Sequence, residues 1–271
     1  MSKLLTHLPA LCNVVRRIAF ETGELALDYF EEGAAFSPEY KADGSPVTEA
    51  DRKCEIFIEE ALASMMPDVP FVGEEAVSSG RIADVEGSEY FWLVDPLDGT
   101  RDFIVGSPDF TVNIALIKNG APVLGVIYAP AHGEMYAAHG EGTAVRWLQE
   151  TDNEKSIRVR KPQRSGLTVV SSKNRGIEEI NRYLEEHKVS KIIRRASSLK
   201  ICAIASGKAD LYPGLSQTCE WDTAAGQAIL EAAGGEIVTL DGKPLVYGRG
   251  RKDFVNPAFV ARSKFLSETG E

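Results

Sequence analysis

The chain has 271 residues, 44% of them apolar and 26% charged, with a formal net charge of −10. That balance describes a globular protein with ample core for one large domain or two ordinary ones. The negative field excludes nonspecific binding to nucleic acid and gives no attraction to an anionic membrane.

From Leu4 to Phe30 apolar residues recur at three and four positions (Leu4, Leu8, Leu11, Val15, Ile18, Leu25, Tyr29). This predicts a long amphipathic helix with Pro9 near its start and Gly33 as its stop. Asp43-Gly44 is a hairpin signal that places Lys41 and Val47 on paired short strands. Thr48 then reads as a helix N-cap with Asp51 at N3, and the helix runs through Cys54, Ile58 and Leu62 until Pro67 halts it. Phe71-Val72 is a short strand ending in Gly73-Glu74-Glu75, and Ser78 to Glu89 has no period, as expected of a surface loop or flap.

Tyr90 to Val94 is a continuous apolar run, read as a buried strand, and it stops at Asp95-Pro96-Leu97-Asp98-Gly99-Thr100. Pro96 fixes its own φ and pushes Asp95 toward an extended conformation, so the two carboxylates leave the strand on a stiff, bent tether. Gly99 permits a turn and Thr100 opens a helical one. Thr111 to Lys118 alternates as a strand and turns at Asn119-Gly120 into Val123 to Tyr128. Strands near Glu134 to Ala138 and Ala144 to Leu148 complete an antiparallel-rich sheet with two helices packed on it. Gln149 to Ser156 lacks an apolar pattern and is the expected boundary between an N-terminal α+β domain, residues 1–155, and a C-terminal α/β domain, residues 156–271.

In the second half, strands and helices alternate: Leu167 to Ser171, then a helix over Ile177 to His187. A strand at Lys191 to Arg194 precedes a helix over Leu199 to Ser206, opened by Ser197-Ser198. Ala209 to Tyr212 is a strand, and Thr223 to Ala233 a helix ended by Gly234-Gly235. Ile237-Val238 and Phe259-Val260 close the sheet. Asp222 stands at the start of the Ala-rich helix, whose small residues permit close packing.

Cys12, Cys54, Cys202 and Cys219 are scattered, which fits reduced thiols, and Cys54 and Cys202 fall at core positions. His7, His132, His139 and His187 do not cluster. With no leader-like segment and no transmembrane run, the expected compartment is the cytoplasm. The acidic residues at element ends are Glu74, Asp95, Asp98 and Asp222. Each alone is an ordinary turn or cap residue. If the strands before Glu74 and Asp95 are neighbours, Glu74 or Glu75 reaches the Asp95/Asp98 site. Four carboxylates drawn together need cations, and hard oxygen ligands without His or Cys favour Mg²⁺ over Zn²⁺.

Gly73-Glu74-Glu75, Asp95-Pro96-Leu97-Asp98-Gly99-Thr100 and Trp221-Asp222-Thr223-Ala224-Ala225-Gly226 resemble the three signatures of the inositol monophosphatase superfamily. Lys41 to Asp51, Phe110 to Leu116, Gly125 to Pro130, Ser197-Ser198-Leu199-Lys200 and Phe254 to Pro257 resemble, within it, the bacterial 3′(2′),5′-bisphosphate nucleotidases. The resemblance implies a layered αβαβα sandwich and a lithium-sensitive, Mg²⁺-dependent phosphomonoesterase that removes the 3′-phosphate of 3′-phosphoadenosine 5′-phosphate. Inositol and fructose phosphatases share the same metal core and stand as the alternative, with a non-catalytic nucleotide-binding relative behind them. It further implies that Glu74, Asp95 and the carbonyl of Leu97 hold one Mg²⁺ and Asp95, Asp98 and Asp222 a second, with a third, weaker ion near Glu74. Asp51 and Thr100 would orient and deprotonate the attacking water. The substrate would meet Leu97, Asp98, Gly99, Thr100, Ser197, Ser198, Lys200 and Asp222.

One departure stands out. Where many such nucleotidases carry Arg after Leu-Tyr-Pro, this chain has Gly214, leaving Arg101, Arg194 or Arg195 to take its place. The implied partner is a small phosphorylated molecule and not a nucleic acid. Monomer and homodimer are both open, and the peripheral membrane attachment described for some relatives has no signal here.

Overall fold

The structure, a computed structural model, describes residues 3–31, 39–41, 44, 46–173, 177–248 and 253–268. A single 3-10 turn precedes α1 (Leu8–Glu31), which buries Leu11, Val15, Ile18, Thr22 and Ala26 along one stripe, as the periodicity requires. Gly33 and Asp43 lie outside the described residues. The expected hairpin exists, with β1 (Glu39–Tyr40) antiparallel to β2 (Pro46–Val47), but Tyr40 pairs with Pro46 and Lys41 falls just past the strand. Helix α2 (Glu49–Met65) starts at the Thr48 cap, where the N–H of Thr48 donates to Asp51 Oδ2 at 2.8 Å.

Next in the chain come β3 (Phe71–Gly73), α3 (Glu74–Ser78), β4 (Tyr90–Asp98) and α4 (Thr100–Ile104). They are followed by β5 (Thr111–Lys118), β6 (Ala121–Ala129), β7 (Glu134–Ala138), β8 (Val145–Leu148) and β9 (Asn153–Ser156). Strands β3 to β9 form one seven-stranded sheet in sequence order, parallel only between β3 and β4. Strand β9 lies within Gln149 to Ser156, the stretch without apolar pattern. It is a fully exposed edge strand paired with β8, so it had no buried face to print on the sequence.

The remaining elements are β10 (Leu167–Ser171), α5 (Ile177–Leu184), β11 (Val189–Arg194), α6 (Leu199–Ala205), β12 (Leu211–Gly214), α7 (Glu220–Ala232), β13 (Gly235–Thr239), β14 (Phe259–Ser263) and α8 (Lys264–Glu268). Their strands make a five-stranded sheet in the order β11-β10-β12-β14-β13. Strand β12 begins two residues later than expected. Asp210 is wholly buried and paired with Arg160, its Oδ1 accepting from Nε at 2.7 Å and its Oδ2 from Nη2 at 2.8 Å.

Side-chain alternation along the strands sets the layers. On β4, Trp92 and Val94 face α1 and α2, while Phe91 and Leu93 face α6 and α7. Helices α6 and α7 touch the second sheet on their other side through Val170, Ile237 and Phe259, and α5 and α8 cover its far face with Ile180, Leu184 and Leu266. The order is the αβαβα sandwich. Because both faces of the first sheet are covered, β4 reads as a continuous apolar run through Val94, and β5, expected to alternate, is buried on both faces from Thr111 to Ile117. The small residues of α7 serve the expected close approach: a Cβ on Gly125 of β6 would lie 2.4 Å from the carbonyl oxygen of Ala225.

Candidate active site

The parallel pairing of β3 with β4 brings Gly73 beside Val94, so Glu74 leaves its strand next to Asp95. Helix α7 points its first turn at the same place. Oxygens of Glu74, Asp95 and Asp222 all lie within 4.8 Å of one another. Asp222 is not the cap residue itself: Cys219 is the N-cap, and Asp222, at N3, accepts the N–H of Cys219 at 2.8 Å. Asp95 is 1% exposed and accepts the N–H of Leu97 at 3.1 Å.

Strand β4 does not stop at Val94 but continues with a bulge. Asp95 pairs with Asn113 and Asp98 with Thr111, so two residues, Pro96 and Leu97, oppose one. Residues three apart on a regular strand face opposite sides, and the extra residue brings Asp98 close enough for its charge to act on Asp95. Gly99 follows at φ 97°, a left-handed conformation, and its α-carbon packs so closely that a Cβ would come within 2.9 Å of the carbonyl of Asp109. Thr100 then opens α4.

Burial, compounded by the neighbouring charges of Glu74, Asp98 and Asp222, holds the Asp95 carboxyl well above its ordinary range. Burial and then Asp98 and Glu74 do the same to Asp222. Glu74 is raised by burial and eased by Lys41, whose Nζ donates to Glu74 Oε1 and Glu75 Oε1 at 2.6 Å each. One ammonium cannot neutralise this group of acids. An all-oxygen donor set, with no His or Cys in it, fits a hard divalent cation such as Mg²⁺.

Asp51 is 2% exposed, and its Oδ1 accepts from the Thr100 hydroxyl at 2.9 Å. The same hydroxyl lies 3.2 Å from the carbonyl oxygen of Leu97. Burial raises the Asp51 carboxyl, against the lowering effect of its bonds from Thr48 and Thr100. Asp98 Oδ2 accepts three bonds, from Ser197 Oγ at 2.8 Å, Ser198 N at 2.7 Å and Ser198 Oγ at 3.0 Å. Asp98 is not one of the three carboxylates that meet within 4.8 Å, but its charge bears on both Asp95 and Asp222.

Ser197 and Ser198, which the resemblance places against the substrate, are both bonded to the Asp98 carboxylate. Ser198 is the N-cap residue of α6, but its hydroxyl makes no cap bond; its single proton is shared between Asp98 Oδ2 and the carbonyl of Asp222, at 3.0 and 2.8 Å, and it accepts from Asn113 Nδ2 at 2.9 Å. Ser197 sits at φ 57° and bonds Thr111 at 2.5 Å. Thr111 and Asn113 were missed as site residues. Two polar side chains within the buried strand β5 were the available signal. Lys41 and Glu55 were missed too: Glu55, 3% exposed, has its carboxyl pushed up to about 7 by burial.

Lys200 Nζ donates to the carbonyl of Ser197 at 2.6 Å and lies 5.4 Å from the centre of the Tyr212 ring. Arg194 is bonded to Ser171 and Ser172, Arg195 lies 3.5 Å from Asp109, and Arg101 is exposed. At Gly214 a Cβ would meet the Phe259 ring at 2.4 Å, so that ring fills the room a side chain would need.

The profile of the inositol monophosphatase family matches residues 9–265. The chain belongs to that family. It is 41% identical over 248 residues to the 3′(2′),5′-bisphosphate nucleotidase CysQ of Escherichia coli (strain K12), covering 90% of this chain and 96% of that protein. The CysQ of Salmonella typhimurium is likewise 41% identical over 248 residues, with the same coverage of both chains. Among solved structures, CysQ from Bacteroides thetaiotaomicron, described as a bacterial member of the inositol monophosphatase family, superposes with a TM-score of 0.77. It is 33% identical, covering 94% of this chain and 97% of that one. No helix among the described residues is long and apolar enough to cross a membrane.

Proposed function

We propose that this family member is a Mg²⁺-dependent 3′(2′),5′-bisphosphate nucleotidase that hydrolyses the 3′-phosphate of 3′-phosphoadenosine 5′-phosphate to AMP and inorganic phosphate. The observation that carries the reading is the convergence of Glu74, Asp95 and Asp222 beside the Thr100–Asp51 hydrogen bond. The substrate follows from the relatives named CysQ that align over 90% of the chain.

In this reading Glu74, Asp95 and the Leu97 carbonyl would hold one Mg²⁺, and Asp95, Asp98 and Asp222 would hold a second. Bound there, the ions would activate water and stabilise the leaving oxygen. The protein's own groups do the rest. A hydroxyl both donates and accepts. Thr100 can therefore accept a proton from water while donating its own to Asp51, whose raised carboxyl is a better base than a solvated aspartate. The left-handed turn at Gly99 frees the N–H groups of Gly99 and Thr100 for the scissile phosphate. Ser197 and Ser198, by filling Asp98 Oδ2, fix which oxygen turns to the site. Lys200 supplies the cation on the substrate side. The catalytic group is thus Asp51, Thr100 and Glu74.

Local cations also reconcile an anionic substrate with a chain of net charge −10. The test is a panel of 3′-phosphoadenosine 5′-phosphate, inositol 1-phosphate and fructose 1,6-bisphosphate with purified protein and Mg²⁺. The proposal requires the nucleotide to be turned over with the highest kcat/KM; preference for either sugar phosphate would replace it with the alternative on the same core.

A further inference from the structure

Glu55 lies four residues beyond Asp51 on α2, and so on the same face of that helix. A carboxylate only 3% exposed needs partners. Its two oxygens are divided between two backbone donors: Oε2 accepts the N–H of Glu75 at 2.7 Å and Oε1 the N–H of Ala76 at 2.6 Å. Arg81 lies 3.9 Å from Oε1 but makes its close pair with Glu59. The carboxylate is committed to the backbone of α3.

Those N–H groups belong to the first turn of α3, whose N-cap residue is Gly73. Glycine has no side chain to satisfy them, so α2 supplies the cap from outside. A Cβ on Gly73 would lie 2.4 Å from Glu55 Oε2 and 2.7 Å from the Phe71 ring, so the glycine makes room for the carboxylate. Between Gly73 and Glu75 stands Glu74, a member of the carboxylate cluster.

We propose that Glu55 is a positioning residue for the metal site. It clamps the turn that carries Glu74 and so sets where the Glu74 carboxylate meets Asp95 and Asp222. One helix then holds both halves of the site in register, Asp51 toward Thr100 and Glu55 toward Glu74. The inference rests on the reading of Glu74 as a metal ligand.

Metal binding is measured directly, on the full chain without substrate, by Mg²⁺ calorimetry and Mn²⁺ electron paramagnetic resonance. The proteins are wild type, Glu74→Gln, Glu55→Gln and the double variant. Loss of an outer carboxylate that orients a ligand is expected to weaken metal affinity by about 10- to 100-fold. Excess Mg²⁺ recovers the kcat that Glu55→Gln loses at low Mg²⁺, because Glu55 touches no reacting atom; a kcat that stays low at saturating Mg²⁺ overturns a role confined to metal affinity. The double variant binds no more weakly than Glu74→Gln, because Glu55 acts through Glu74. Wild-type affinity in Glu55→Gln with a lowered melting temperature overturns the proposal, as does a loss that adds in full to that of Glu74→Gln. Wild-type affinity in Glu74→Gln overturns the ligand reading itself, and the clamp with it. If Glu55→Gln yields no folded protein, Gly73→Ala, which crowds Oε2 while leaving Glu55 in place, carries the test. It is expected to weaken binding likewise, and wild-type affinity there overturns the proposal.

Discussion

Substituting Gly214 by alanine probes the position where the resemblance led to an expected arginine. Gly214 is buried on β12 in register with Phe259 of β14, and an added Cβ would lie 2.4–2.6 Å from three atoms of that ring. Carbon atoms pack at about 3.5–4.0 Å, so the ring or the strand must move by about 1 Å. Phe259 is 1% exposed and packs edge-on against Tyr212 with centroids 5.7 Å apart, which leaves it little room to retreat. Overpacking of this kind costs about 1–3 kcal/mol. For a chain of this size about 2 kcal/mol corresponds to a fall of roughly 4–8 °C in melting temperature. Thermal and urea melts of Gly214→Ala measure it. Adding Phe259→Val should recover much of the loss, since it removes the clashing ring. Arginine at 214 should cost at least as much as alanine, because the Phe259 ring occupies the room its side chain would need. An unchanged melting temperature in Gly214→Ala would refute the steric argument.

Asp51→Asn and Thr100→Val should each lower kcat by about 10²–10⁴-fold, the usual worth of a positioned base. The double variant should be little worse than either, because the pair acts as one unit; full additivity in the kinetics would contradict the relay. Burial pushes the carboxyls of Glu55 and Glu75 up to about 7 and raises Glu74, Asp95 and Asp222 in the same direction. An acid raised in the folded state contributes stability while protonated, present in full below its unfolded pKa of about 4.3 and lost as pH rises through the folded value. Metal-free protein should therefore melt higher at about pH 6 than at about pH 8, and saturating Mg²⁺ should narrow the gap. A higher melting temperature at the more alkaline pH without metal would contradict the sign.

The layered fold was legible wherever an element buries a periodic face. The stripe of α1, the two-sided burial of β4 and β5 and the small residues of α7 all print their packing on the sequence. Strand β9 does not, since all four of its residues are exposed. The three acidic motifs gave the cluster, and the Thr48 cap gave Asp51 its place. Long-range pairings lay beyond local pattern. Nothing near Asp98 announces that Ser197 and Ser198, about a hundred residues on, fill one of its oxygens. Nothing near Gly214 announces Phe259 either. Glu55 was hidden for a different reason: a glutamate on an amphipathic helix reads as a solvated residue until α3 is seen to begin on it.

The central claim is that the carboxylate cluster works with Mg²⁺ to release the 3′-phosphate. Phosphorus NMR of 3′-phosphoadenosine 5′-phosphate incubated with wild type and Asp95→Asn, with and without Mg²⁺, tests it most directly. The account predicts AMP and inorganic phosphate from wild type with Mg²⁺ alone, and neither product from wild type with chelator or from Asp95→Asn. Release that persists in chelator, or that survives Asp95→Asn undiminished, would contradict it.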